Sequence, residues 1–257
     1  MINIFSYILD TLIPRYCYSC NSVLISGEKI ICLDCYSEIE LKISYFASKN
    51  HLAEKYSINN TEHELALFSY SRGEPISMII PKFKYNENII LGKFIINLFE
   101  NELNKIEWFK EIDYIIPLPL HWLKKTKRGF NQSEIISDLL GKKIGIPVKK
   151  NIMIRYKYTK SQAKTPYKKK KEKFQTKESN SFKVIRPKAL ENKHILIVDD
   201  IITTGYTINN CINSTLGIKN LKISLFFFAA TKERLDSDSL IPANSINEPK
   251  NNKEIIP

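Results

Sequence analysis

No stretch of this 257-residue chain approaches the ~20 consecutive apolar residues that a membrane-spanning helix requires. The amino terminus also lacks a basic leader followed by a cleavage site, so the expectation is a cytoplasmic protein with no membrane span. Met1 to Ile13 is short and amphipathic, and packing against the rest of the chain is the expected use of its apolar side. Histidine is scarce, with four residues. His51, His63 and His194 have neither ligand spacing nor a nucleophile beside them, which leaves His121 as the single histidine worth testing. Acidic residues are in deficit, 27 against 39 basic ones, for a net charge of +12. That balance favours anionic partners such as diphosphates or nucleic acid, with a solvated lysine surface as the competing account. Disorder is not expected, because a hydrophobic share of 43% can bury a core large enough for one α/β domain plus a small appendage.

What is present is concentrated in a few strings. In Ile195-Leu-Ile-Val-Asp-Asp-Ile-Ile-Thr-Thr-Gly-Tyr-Thr207, four aliphatic residues suit a strand buried on both faces of a parallel sheet. Asp199 and Asp200 then fall at its carboxyl end, the edge where ligands gather in open α/β sheets. The turn Thr203 to Thr207 supplies hydroxyls and backbone N–H groups. Ile208, Cys211, Ile212, Thr215 and Leu216 continue it as a helix, whose start favours a phosphate. Helix capping by the acids is the bland alternative.

Cys17-Tyr-Ser-Cys20 and Cys32-Leu-Asp-Cys35 are two C-x-x-C knuckles that fit one tetrahedral zinc and close its coordination sphere. The ion would supply folding energy that so short a segment lacks. Disulfides and a rubredoxin-like iron are the competing accounts. Cys211 reads as a core thiol.

Elsewhere Ser37 to Glu64 reads as a weakly structured connector. Leu65 to Tyr70 reads as a strand, Pro75 to Phe83 as a helix, and Ile89 to Ile106 as one helix with Leu91, Ile95, Leu98, Phe99 and Leu103 on one face. Tyr114 to Pro119 is a buried strand stopped by its prolines. His121 to Gln132 reads as a basic loop in which Arg128, beside Lys124, Lys125 and Lys127, grips phosphate best, ahead of a helix Ser133 to Leu140. Tyr156, Tyr158, Tyr167 and Phe174 among the lysines of 157–177 suit single-stranded nucleic acid, with a solvated active-site loop as the alternative. Phe182 to Ile185 and Leu221 to Ala229 are strands, and the polar end is expected to be a disordered tail.

The Ile195 to Thr207 string resembles the phosphoribosyl diphosphate (PRPP) motif of type I phosphoribosyltransferases. Together with the knuckles, Lys82-Phe-Lys-Tyr85, Pro117-Leu-Pro-Leu-His121 and Arg128-Gly-Phe-Asn-Gln132, it resembles the ComF family across Cys17 to Ala230. The resemblance implies a type I phosphoribosyltransferase-like fold, an open and mostly parallel sheet flanked by helices, with an amino-terminal Cys₄ zinc module. It implies PRPP with magnesium as ligand and, as catalytic residues, Asp199 and Asp200 on the ribose hydroxyls. It implies Thr203, Thr204, Gly205 and Thr207 on the 5′-phosphate, Lys84 and Arg128 near the diphosphate, and Cys17, Cys20, Cys32 and Cys35 on zinc. The family is linked to natural transformation, so phosphoribosyl transfer to an unidentified base stands beside a non-catalytic alternative. That alternative is a competence factor binding single-stranded DNA and a helicase partner. The expected organisation is 1–40 helix and zinc module, 41–64 connector or hood, 65–230 phosphoribosyltransferase-like domain and 231–257 tail. Thr159 and Gln162 match the family's mobile loop, but lysines occupy 168–171 where an Arg and an Asn are expected, which keeps charge and loses the two-pronged grip.

Overall fold

The computed structural model describes residues 14–43, 51–71, 73–85, 89–158 and 181–231. Met1 to Ile13, Thr159, Gln162, the lysine run and the tail therefore lie outside the described residues, as does the side chain of Lys84. The chain forms α1 (Leu33–Ile43), α2 (His51–Tyr56), β1 (Glu64–Tyr70), α3 (Pro75–Tyr85), α4 (Ile89–Leu98), α5 (Glu100–Asn104), β2 (Tyr114–Pro117), α6 (Trp122–Arg128), α7 (Gln132–Ile144), β3 (Met153–Arg155), β4 (Phe182–Val184), β5 (His194–Ile202), α8 (Tyr206–Asn213) and β6 (Lys222–Thr231).

β1, β6, β5 and β2 make one sheet in that order, all parallel. Its central strands carry continuous apolar runs, Ile195 to Val198 on β5 and Leu225 to Ala230 on β6, because helices cover both faces. Side chains alternate between two cores. Leu196, Val198, Phe226 and Phe228 share one with Leu91, Ile95, Ile136 and Leu140. Ile195, Ile197, Leu225 and Phe227 share the other with Ile208, Cys211 and Ile212. Ile195 through Val198 are each at 0% exposure, and burial of such side chains contributes roughly 1.5–3 kcal/mol apiece. β3 and β4 pair separately as an antiparallel ladder, Met153 opposite Val184.

Where the chain goes after each strand locates the crevice. β2 is followed by α7 and then a parallel bridge of Val148 to Ile115, beyond the sheet's far edge. β5 is followed by α8 and returns on its opposite side as β6. The two connections diverge between β5 and β2, and such a switch point opens a crevice at the strands' carboxyl ends.

Several elements differ from expectation. β5 runs on through both aspartates to Ile202 because β6 continues beside it, with Ile202 opposite Ala230. α8 stops at Asn213, so Thr215 caps back onto the Ile212 carbonyl at 2.6 Å and Leu216 is exposed. The expected helix 89–106 is interrupted at Phe99, which remains fully buried. The segment expected to be weakly structured carries the end of α1 and all of α2, anchored by buried Ile39, Leu52 and Tyr56. The basic string after β2 is the helix α6 and not a loop.

The cysteine module packs into the first core, where Cys17, Leu24, Ile31 and Ile39 meet Phe68, Ile76 and Ile79. Ser19 Oγ donates to the Pro75 carbonyl at 2.9 Å, tying the first knuckle to the start of α3.

Candidate functional site

The switch point gathers the acid pair and the string after β2. Leu118 N–H donates to the Val198 carbonyl at 2.8 Å, which carries the end of β2 alongside β5. Asn131 caps α7 by accepting from Ser133 N–H, and its amide donates to the Leu118 carbonyl at 3.0 Å. That cap turns Ser133 inward, where its hydroxyl donates to Asp199 Oδ1 at 2.9 Å. The same oxygen accepts from Asp200 N–H, and Asp200 Oδ1 accepts from Ile201 N–H at 2.8 Å. Both carboxylates are half-buried and oriented by hydrogen bonds from within the chain.

Behind them stands Arg155 on β3. Its guanidinium lies 5.0 Å from the Phe182 ring centre. Burial pulls it below the ordinary arginine range, and the Asp199 carboxylate is the leading charge acting against that shift. Sequence reasoning passed over Ser133, Asn131 and Arg155. For the first two a signal existed, since Asn-Gln-Ser-Glu ahead of an apolar-periodic run marks a capped helix start.

The turn after β5 has the expected shape. Gly205 adopts φ +70° and forms the cap of α8, and Thr204 Oγ1 accepts from Tyr206 N–H at 3.5 Å. A side chain at Gly205 would strike Tyr56, whose carbonyl oxygen stands 2.4 Å from where a Cβ would be. Thr203 is exposed, and Thr204 and Thr207 are half-buried.

The basic residues are less uniform than their sequence. Arg128, in the last turn of α6, donates to Gln132 Oε1 at 3.4 Å, one residue from Ser133. Lys125 is engaged by Glu134 at 2.9 Å. Lys84 falls within α3, away in sequence from both strands of the switch point. His121 is a cap. Its Nδ1 accepts from Leu123 N–H and its Nε2 faces the Tyr156 carbonyl, each at 3.2 Å, which makes Nε2 the protonated nitrogen.

The four cysteine sulfurs lie within 4.8 Å of one another, and Cys20 and Cys32 are 3.6 Å apart. Sulfurs on a tetrahedral ion with bonds of about 2.3 Å stand about 3.8 Å apart, so the set fits a metal such as zinc. Cys17 Sγ accepts N–H groups from Ser19 and Cys32, each at 3.4 Å, as a thiolate ligand would. All four are free thiols, which disfavours the disulfide account. Hydrogen bonds from Ser22 hold Cys20 down at about 6, while burial pushes Cys35 up to about 12. A metal bound here would take the place of the proton that burial otherwise keeps on Cys35. Burial also pushes Cys211 up, and it packs against Met153.

No family model matches the chain. In sequence it is similar to Competence protein F of Haemophilus influenzae, 26% identical over 156 residues, covering 58% of this chain and 66% of that protein. It is also similar to the DNA utilization protein YhgH of Salmonella typhimurium, 24% identical over 137 residues, covering 52% and 58%. The chain thus spans less than two thirds of either relative's own length. Among solved structures, glutamine PRPP amidotransferase from B. subtilis superposes with a TM-score of 0.37 at 14% identity, covering 58% of this chain and 30% of that one. Adenine phosphoribosyl transferase from Trypanosoma brucei gives 0.36 at 11%, covering 76% and 93%. Superpositions this loose set no residue correspondence. Among the described residues, no helix is long and apolar enough to cross a membrane.

Proposed function

We propose that this chain binds PRPP with magnesium at the β5–β2 switch point and transfers its phosphoribose to a base yet to be identified. The observation that carries this is the Ser133 to Asp199 hydrogen bond at 2.9 Å, which joins the acid pair to the Arg-Gly-Phe-Asn-Gln string at one sheet edge. Asp199 and Asp200 orient the ribose hydroxyls, and Thr203, Thr204, Gly205 and Thr207 surround the 5′-phosphate. Arg128 takes the diphosphate, a role the family resemblance also assigns to Lys84. Magnesium, brought in mainly by the substrate's own oxygens, would supply charge neutralisation for the diphosphate that leaves. The bond from the anomeric carbon to the diphosphate breaks as the bond to the acceptor forms. An oxocarbenium-like passage needs orientation and dryness more than a nucleophile, so preset carboxylates suffice. Cys17, Cys20, Cys32 and Cys35 hold a structural zinc. Titration calorimetry should show magnesium-dependent PRPP binding by the intact chain and none by Asp200→Asn. A wild-type protein that takes up no PRPP sinks the proposal. A screen of free bases for diphosphate release identifies the acceptor.

The second account is a competence factor without turnover, binding single-stranded DNA and a helicase partner. The specific observation favouring it is a group of exposed rings beside lysines on and around α6. Asp200→Asn separates the two, since it removes PRPP binding and leaves strand binding intact.

A further inference from the structure

α6 and the chain segment beside it expose aromatic surface that a core would have hidden. Trp122 is 65% exposed, Tyr158 52% and Tyr156 47%. The rings are organised around one buried side chain. His121, at 3% exposure, lies 5.8 Å from the Trp122 ring and 5.4 Å edge-on from the Tyr158 ring. Its own nitrogens are fixed by Leu123 N–H and by the carbonyl of Tyr156. A pinned imidazole therefore sets the position of two exposed rings.

Cations flank them. Lys124 Nζ stands 5.5 Å from the Tyr158 ring centre and Lys157 Nζ 6.0 Å from that of Tyr156. Lys127 is exposed on the same helix, and Trp122-Leu-Lys-Lys-Thr-Lys-Arg128 contains no acid. Flat faces interleaved with positive charge match a ligand that alternates unpaired bases with phosphates. A duplex would present phosphates but hide its base faces, and an acidic peptide would use the lysines but leave the rings idle.

We propose that Trp122, Tyr158 and Tyr156 form a stacking platform for single-stranded nucleic acid, with Lys124, Lys127 and Lys157 on its phosphates. The proposal rests on the DNA-handling account and gives it a site on α6 and the chain that follows β3. Recognition at such a platform is indifferent to sequence, since every base has a stacking face.

The experiment is fluorescence anisotropy of the full chain with a dye-labelled oligothymidylate across a salt series. Trp122→Ala and Tyr158→Ala should each weaken binding roughly five- to a hundred-fold, and Trp122→Phe and Tyr158→Phe should retain most of it. Lys127→Ala should lower the slope of log K against log salt by about 0.7. The chain has two tryptophans, and Trp108 is already stacked on His63 at 4.9 Å. Quenching of tryptophan emission by the strand should therefore vanish in Trp122→Ala. No binding by the wild type at low salt removes both the platform and the DNA-handling account. Undiminished binding by the Trp122→Ala/Tyr158→Ala double variant removes the platform alone.

Discussion

Replacing Gly205 by alanine isolates how tightly α2 is clamped onto the turn between β5 and α8. Gly205 and Gly217 both have left-handed backbones, at φ +70° and +87°. Alanine in that conformation costs roughly 1–2 kcal/mol. At Gly217 a Cβ meets nothing within 4 Å, so Gly217→Ala should lose that amount and no more. At Gly205 the new Cβ would stand 2.4 Å from the Tyr56 oxygen and 3.0 Å from the Tyr56 Cβ. Ordinary contact requires Tyr56 to retreat by most of an ångström, and three restraints oppose that. Its ring is at 1% exposure, its hydroxyl donates to the Thr231 carbonyl at 2.8 Å, and the neighbouring Ser57 carbonyl accepts from Asn209 at 2.9 Å. Forced overpacking costs typically 1–3 kcal/mol, so Gly205→Ala should lose roughly 2–5 kcal/mol in all. Urea denaturation of both variants, compared at equal m, reads the excess of one over the other. An excess under about 0.5 kcal/mol, the scatter of ordinary surface changes, would refute the clamp.

Ser133→Ala removes one hydrogen bond from Asp199 and should weaken PRPP binding by about 1 kcal/mol, roughly fivefold, in calorimetry. Cys17→Ser, at the buried sulfur that accepts two N–H groups, should lower bound zinc per chain by elemental analysis more than Cys20→Ser at the exposed position does. His194 is held below its ordinary value chiefly by burial, with Lys222 and His63 adding to that and Glu111 and Glu62 opposing it, and its Nε2 is bonded to Ser224 Oγ at 2.8 Å. The unfolded chain takes up that proton first, so stability should be level above about pH 6.5 and fall below it. His194→Asn should flatten the fall in a pH series of urea midpoints.

The strands were legible where composition leaves one option. Ile195 to Val198 cannot be a surface element, and the strand expected over Tyr114 to Pro119 is there, ending at the first of its two prolines, Pro117. The continuation through Asp199 and Asp200 was not legible, because it depends on the length of β6, a partner distant in sequence. α6 was misread from its charge, although its ends were signalled. His121 precedes the first turn, basic residues fill the last turn, and Gly129 follows in the left-handed conformation. β3 is too short to carry a period, and its partner β4 lies beyond a long insertion. The acid pair and the threonine turn were visible as a contiguous string. Arg155 was not, since only the folded chain brings it behind Asp199.

The order of strands has a consequence for synthesis. Glu64 pairs with Leu225 and Tyr70 with Thr231, so β1 must wait for nearly the whole described chain to leave the ribosome. β6 is an interior strand, and until it emerges both its neighbours present unpaired backbone groups to other nascent chains. The cysteine clasp needs only Cys17 to Cys35 and can close early. By topology the clasp is thus the earliest element able to form and the central strand the last, and pairing across so much sequence slows the closing step.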